Sequence, residues 1–366
     1  MNRMRRHFLL LSLLLVCSAT AAAQADLPRR FALIDQYVAE TVAQQSVPGV
    51  AIAIAKDGKI IYSKGFGFAD LENKVPFTPQ TVSRIGSVSK TFTATAVMQL
   101  VEQGKINLDA EVQTYVPTFP KKKWPITIRQ LLCHQGGVRH YRGVEMFSNR
   151  RYDSVEAALA IFKDDDLVNE PGTAFSYTTY GYNLLSRVVE AASGETFPDY
   201  LHRYIIEPLG LKQTYLDEKQ RIIPGRARFY SKPKNGEIEN VPQVDQSNKW
   251  GGGGLLSTVE DLIRYANAYD SDRLLKPATI QQMFTAQKTR DGKATNYGLG
   301  WATALENGRR RVEHSGGSIG ATSMLTKYPD QGITIAVLVN FDHYGAPQFR
   351  AGVAKILFGD GAGSKP

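Results

Sequence analysis

At 366 residues the chain exceeds the usual single-domain length, yet no Pro-rich, Gly/Ser-rich or charge-run linker divides its middle, which implies one large domain with an inserted subdomain. Its 43% hydrophobic and 22% charged residues are ordinary for a globular protein, and a folded chain of this size buries roughly 75% of its unfolded surface, which excludes a disordered or staple-dependent chain. The net charge of +9 is spread out, with one short cluster at Lys121-Lys122-Lys123, and no nucleic-acid motif or aromatic stacking platform accompanies it, so nucleic acid is not an expected partner.

The chain starts with Arg3, Arg5 and Arg6, an apolar run over residues 8–16, and small residues ending in Ala21-Ala22-Ala23 and Ala23-Gln24-Ala25. That order is what an export signal needs, and the run is shorter than the ~20 residues of a membrane span. Residues 1–25 are therefore expected to be a signal peptide cleaved after Ala23 or Ala25, leaving residues 26–366 as a periplasmic or secreted domain with no membrane span. A lipoprotein through Cys17 is the alternative, but Leu14-Leu15-Val16 lacks the small residue expected before the cysteine. Only Cys133 then remains, so no internal disulfide forms.

Residues 50–55 and 59–64 read as β-strands joined by Asp57-Gly58, a pair suited to a tight hairpin. From Lys90 onward Phe92, Ala96, Val97, Leu100 and Val101 share a helical face, and Gly104 is placed to end that helix. Helical patterns follow at 127–132, 155–162, 182–192, 197–205 and 259–269. Strand character returns at 311–313, 323–328 and 333–340, before a last helix near 347–358. Strands at both ends with helices between predict an α+β fold, in which one antiparallel sheet is built from both chain ends and flanked by helices. The expected division is a sheet subdomain of about 31–85 plus 286–360 and a mainly helical subdomain of about 86–285.

Ser87-Val88-Ser89-Lys90 sits where an extended segment ends at Gly86 and this first helix begins. Residues three apart share a helical face, which brings the Ser87 hydroxyl and the Lys90 amine within reach of each other. A second Ser-x-x-Lys, Ser231 to Lys234, contains Pro233, which prevents that geometry. Gly316-Gly317-Ser318-Ile319-Gly320 matches the G-x-S-x-G nucleophile elbow, but a strand rather than a helix is predicted after it. His134, His140, His202, His314 and His343 show no metal-ligand spacing, and no phosphate loop is visible, so neither metal nor cofactor is expected.

The stretch 83–108, with Pro48-Gly49-Val50 and Gly65-Phe66-Gly67 before it and 126–138 after it, resembles the class C β-lactamase and penicillin-binding-protein-like serine hydrolases. Pro171-Gly172-Thr173, Gly181-Tyr182-Asn183-Leu184-Leu185, residues 252–258, Tyr297-Gly298-Leu299-Gly300-Trp301 and His314-Ser315-Gly316-Gly317 extend the resemblance in order over about residues 33–358. It implies a β-lactamase/transpeptidase-like fold with Ser87 as nucleophile and Lys90 as base. It assigns Tyr177 the shared proton and the backbone N–H groups of Ser87 and Gly317 the oxyanion hole. Thr179, His314, Ser315 and Gly316 take the substrate-binding positions.

Two departures from the family pattern matter. Thr179 stands where asparagine is usual, which puts an asparagine's contacts to Lys90 or a substrate amide in doubt. His314 replaces the lysine that heads the third motif in β-lactamases, as in esterase, aminopeptidase and mitochondrial β-lactamase-like branches. The expectation is an exported serine hydrolase acting through a Ser87 acyl-enzyme on a small-molecule or short-peptide substrate: peptide, D-amino-acid-containing or ester. The alternatives are a class C-type β-lactamase and a non-catalytic or self-assembling protein of the same fold.

Overall fold

A computed structural model describes residues 26–234 and 236–359; the expected signal peptide lies outside them. Among the described residues, 47–350 form one compact unit, and 26–46 with 351–359 form another.

The larger unit is organised by a seven-stranded antiparallel sheet. Its strands are β1 (Gly49–Lys56), β2 (Lys59–Asp70), β3 (Val75–Pro76), β4 (Ala302–Glu306), β5 (Arg309–Ser318), β6 (Ala321–Tyr328) and β7 (Ile333–Val339), in the spatial order β3-β2-β1-β7-β6-β5-β4. Its centre is the pairing of β1 with β7, in register from Val50 opposite Val339 to Lys56 opposite Ile333. The two ends of the chain therefore share one sheet, as the early and late strand patterns predict. Both central strands are buried almost throughout, which explains why they read as continuous apolar runs rather than alternating ones. Asp57 and Gly58 both adopt positive φ (47° and 79°), the conformation a two-residue hairpin between β1 and β2 requires.

Between β3 and β4 the regular structure is mostly helical, with long loops and two small sheets between the helices. The longer helices there are α2 (Ser89–Glu102), α3 (Tyr180–Ser193) and α4 (Val259–Asn267), after α1 (Leu27–Gln44) and before α5 (Ala346–Phe358). Helix α2 departs from the expected one-sided burial: residues 89–98 and Leu100 are all buried, polar ones included. Thr91, Thr93 and Thr95 satisfy their hydroxyls on the carbonyls of Val88, Gly251 and Thr91, so the polar face of this helix is internal. Apolar side chains from α2, α3 and α4 join Ala51, Ala53, Leu325, Ala336 and Leu338 of the sheet in a single core.

Several elements differ from the sequence reading. The helical patterns at 155–162 and 197–205 hold α-geometry only over Val155–Leu159 and Phe197–Leu201, the latter passing into a wider π-turn at His202–Ile206. Strand β5 extends well beyond residues 311–313, because β4 pairs with Arg309 to Glu313 and β6 with Val312 to Ser318; its glycines and charges hide it from a propensity reading. Strand β4 and helix α1 carry no signal that the periodicity reading picked up. In the smaller unit, α1 has Pro28 in its first turn, where the lost N–H is harmless. The Arg30 guanidinium reaches the Ile356 carbonyl at 3.3 Å. No helix among the described residues is long and apolar enough to cross a membrane.

Candidate active site

A short strand, Ser83–Arg84, pairs with Leu255–Ser257 and delivers the chain to Gly86. Gly86 has φ of +47°, and a Cβ there would lie 2.6 Å from the Gly317 carbonyl oxygen. A Cβ on Gly316 would meet the Ile85 carbonyl at 2.1 Å. Two glycines thus let the Ile85-Gly86 backbone press directly on β5. The Ser323 hydroxyl locks that contact by donating to the Ile85 carbonyl at 2.6 Å. A single 3₁₀ turn, Gly86–Val88, then leads into α2.

That turn leaves Ser87 as the one residue of 81–90 that is not fully buried, and puts Lys90 beneath it. Lys90 Nζ lies 3.0 Å from Ser87 Oγ, 3.2 Å from Thr179 Oγ1 and 2.5 Å from the Gly252 carbonyl. Three acceptors surround an amine with at most three protons, so the side chain is fixed although it is completely buried. Burial, with Lys249 as a positive neighbour, holds its pKa well below the usual lysine value. Of the two contacts in doubt at Thr179, the one to Lys90 is present: its hydroxyl accepts from the amine.

Tyr177 comes from a loop with no regular structure, and the packing around it explains its position. The Thr178 N–H donates to His134 Nδ1 at 3.2 Å, and the Thr179 N–H donates to His140 Nδ1 at 3.1 Å. The His134 ring lies 4.2 Å from that of Tyr177, and Lys90 Nζ is 4.8 Å from the centre of the same phenol ring. Burial raises the phenol's pKa, against a smaller lowering from its interaction with the Ser87 side chain. Both imidazoles accept hydrogen bonds and are therefore neutral; burial and then the Lys90 charge lower His134 well below its ordinary value and His140 to about 4.

Ser87 opens on a cavity of about 170 Å³ lined by His140, Tyr141, Met146, Thr179, Lys249, Gly252, Gly253, Gly317 and Ser318. Gly317 faces it with open space where a Cβ would stand. The third motif divides along β5 by strand alternation: Ser315 and Gly317 are exposed, whereas His314 and Gly316 point inward. His314 is not part of the cavity wall. Its Nε2 pairs with the Tyr297 hydroxyl at 2.8 Å and its Nδ1 with the Ser315 carbonyl at 2.7 Å, and burial depresses its pKa to about 3. Gly316 is consumed by packing on Ile85, so of the four expected substrate-binding positions Thr179 alone lines the cavity.

Neither the second Ser-x-x-Lys nor the G-x-S-x-G motif is followed by the helix that its chemistry needs. Ser231 lies on a two-residue strand, Tyr230–Ser231, paired with Glu239–Asn240. Ser318 lines the cavity but is followed by the turn at Gly320 and by β6. Among the described residues no three metal-ligating side chains gather. Lys249 and Met146 reach the wall from segments whose sequences carry no distinguishing signal, and only their tertiary placement identifies them.

The family described as Beta-lactamase matches this chain over residues 34–357. The chain is 30% identical over 406 aligned residues to the human (Homo sapiens) serine beta-lactamase-like protein LACTB, mitochondrial, covering 81% of this chain and 74% of that protein. The octameric penicillin-binding protein homologue from Pyrococcus abyssi superposes with a TM-score of 0.80 at 30% identity, over 90% of this chain and 77% of the other. A D-stereospecific amidohydrolase from Streptomyces sp. gives 0.77 at 25% identity, over 90% and 99%.

Proposed function

The chain belongs to the beta-lactamase family of serine hydrolases, and from that premise we propose that it cleaves peptide, D-amino-acid-containing or ester substrates through an acyl-enzyme on Ser87. The observation that carries this reading is the 3.0 Å contact between Ser87 Oγ and a completely buried Lys90 amine at the foot of a cavity. A serine hydroxyl needs a base, and a lysine serves only when neutral, which burial of Lys90 favours. Lys90, with Tyr177 beside it as a second resting place for the proton, takes the Ser87 proton as Oγ attacks the substrate carbonyl. The N–H groups of Ser87 and Gly317 receive the negative charge that develops on oxygen. The leaving group departs with the proton, and water activated by the same base releases the acyl group.

The neutral, inward-turned His314 leaves the third motif without a cation, which supports peptidase or esterase activity over efficient β-lactam hydrolysis. The Streptomyces structure supports a D-amino-acid substrate by its name alone. Export rests on the basic, apolar and small-residue order of residues 1–25, with residues 26–366 as the catalytic domain; the N-terminal mass of the protein recovered from its native host tests it.

The deciding experiment is a fluorophosphonate probe followed by peptide mass mapping, with Ser87→Ala as control. An adduct on Ser87, and turnover of D-Ala-terminated peptides or short acyl esters above that of nitrocefin, is expected. No adduct on the wild-type protein would return the chain to a non-catalytic role, and rapid nitrocefin turnover would make it a β-lactamase.

A further inference from the structure

Lys249 is the charged side chain of the cavity wall that this mechanism leaves unused. It ends the 3₁₀ turn Ser247–Lys249, is 4% exposed, and lines the cavity beside Thr179, Gly252 and Gly253. Its Nζ donates to the Met146 carbonyl at 3.0 Å and lies 5.3 Å from the centre of the Tyr141 ring; both residues also belong to the wall. One carbonyl satisfies one of three donors, and among the described residues no carboxylate pairs with it.

The neighbouring carboxylates are committed elsewhere. Asp217 is bridged by Arg84 at 2.8 Å and Arg226 at 3.3 Å, and Asp245 accepts from the backbone and hydroxyl of Ser247. Among the described residues no acidic side chain lines the cavity. Its wall therefore presents a buried cation with spare donors, the arrangement that attracts an anion and repels an ammonium group.

We propose that Lys249 is the specificity-determining residue of this site, selecting acyl substrates that carry a free carboxylate over those that carry a free amine or a neutral group. The assignment rests on the Ser87 acyl-enzyme reading and narrows it. It moves the cation for substrate recognition from the third motif, where His314 is neutral and turned inward, to the opposite chain segment before Trp250. It also separates this protein from hydrolases of amino-acid amides, whose substrates bring a positive charge that Lys249 would oppose.

The measurement is the ratio of kcat/KM for a peptide or ester ending in a carboxylate to that for its carboxamide analogue, with a third analogue bearing a free amine. A hydrogen bond to a charged group in an enclosed site corresponds to roughly a tenfold to hundredfold preference. The wild-type ratio is expected in that range, with the amine analogue poorest, and Lys249→Met should bring the ratio close to one while Lys249→Arg retains part of it. The ratio is the right quantity because Lys249 also acts on Lys90, so absolute rates change for every substrate. Labelling of Ser87 by the uncharged probe is followed on each variant: failure to label the wild type defeats the acyl-enzyme reading, whereas labelling with a wild-type ratio near one, or a ratio unmoved by Lys249→Met, defeats the carboxylate assignment alone.

Should Lys249→Met fail to fold, the wild-type pH profile decides. Burial and Arg84 lower Lys249 to about 8, against the raising influence of Asp217 and Asp245; Lys90 and His140 are the other titratable groups it acts on. The ratio should fall toward one as pH rises through about 8 and Lys249 loses its proton. A ratio that stays level as pH passes the ordinary lysine value of 10.5, where Lys249 has lost its proton, overturns the assignment.

Discussion

The Thr179 hydroxyl accepts a hydrogen bond from the Lys90 amine at 3.2 Å, so a residue that breaks the family's sequence pattern still holds that amine. Thr179→Val keeps the shape and removes the acceptor, leaving Lys90 with Ser87 and Gly252. A fall of about tenfold to a hundredfold in kcat/KM is expected, with Thr179→Ser close to wild type, because the hydroxyl rather than the methyl makes the contact. Equal rates for the valine and serine variants would show that Lys90 is positioned without Thr179.

The pH dependence of acylation follows from the burial of Lys90. The protonated amine is inactive as a base, so kcat/KM should rise with pH along an acid limb set by Lys90, whose pKa is held well below the ordinary value. Lys249 is the second cause of that lowering. Removing its charge in Lys249→Met makes the Lys90 ammonium easier to keep, which moves the acid limb to higher pH. Steady-state kinetics on a neutral ester over pH 5–9 measure the shift, and a limb moved downward would contradict the assigned electrostatics.

Neighbouring glycines on β5 should behave oppositely. Gly316→Ala drives a Cβ to 2.1 Å from the Ile85 carbonyl and 2.2 Å from the Ser323 hydroxyl, and backbone must shift to relieve it. A loss of about 2–4 kcal/mol in unfolding free energy, together with loss of probe labelling, is expected. At Gly317 nothing lies within 4 Å of the added atom, so Gly317→Ala should stay within about 0.5 kcal/mol of wild type. Urea denaturation of both variants distinguishes packing from open space.

His314 links pH to stability rather than to substrate. Its folded pKa is depressed from 6.5 to about 3, chiefly by burial and then by Lys90. Between those values the unfolded chain binds the proton and the folded one does not, so the stability it contributes is complete above pH 6.5 and lost progressively as pH falls toward 3. His314→Gln keeps a hydrogen-bonding group beside Tyr297 and removes the titration. The variant's unfolding free energy should therefore fall less steeply than that of the wild type between pH 6.5 and 4, which chemical denaturation at a series of pH values measures.

Local chemistry makes much of this protein readable. Asp57-Gly58 can hardly do other than turn, the apolar runs of β1 and β7 demand burial on both faces, and a serine three residues before a lysine at a helix start brings hydroxyl and amine together whatever surrounds them. Those features depend on neighbours within a few residues, where backbone geometry alone fixes the outcome.

What needed the tertiary structure is whatever depends on partners far along the chain. Strand β5 runs from Arg309 to Ser318 because β4 pairs with its first half and β6 with its second, not because Arg309, Arg310 or Gly316 prefer a strand. His314 is buried and Ser315 exposed because the sheet has a single register. Thr179, though not asparagine, contacts Lys90 because His140 holds its backbone where the hydroxyl reaches the amine. Lys249 becomes a wall of the cavity only once Met146, Tyr141 and the glycines before Leu255 close around it. The sequence by itself determined the fold class and the approach of the Ser87 hydroxyl to the Lys90 amine, through short-range geometry; long-range packing decided which cations and hydroxyls line the cavity, since burial and distance set their charge and reach.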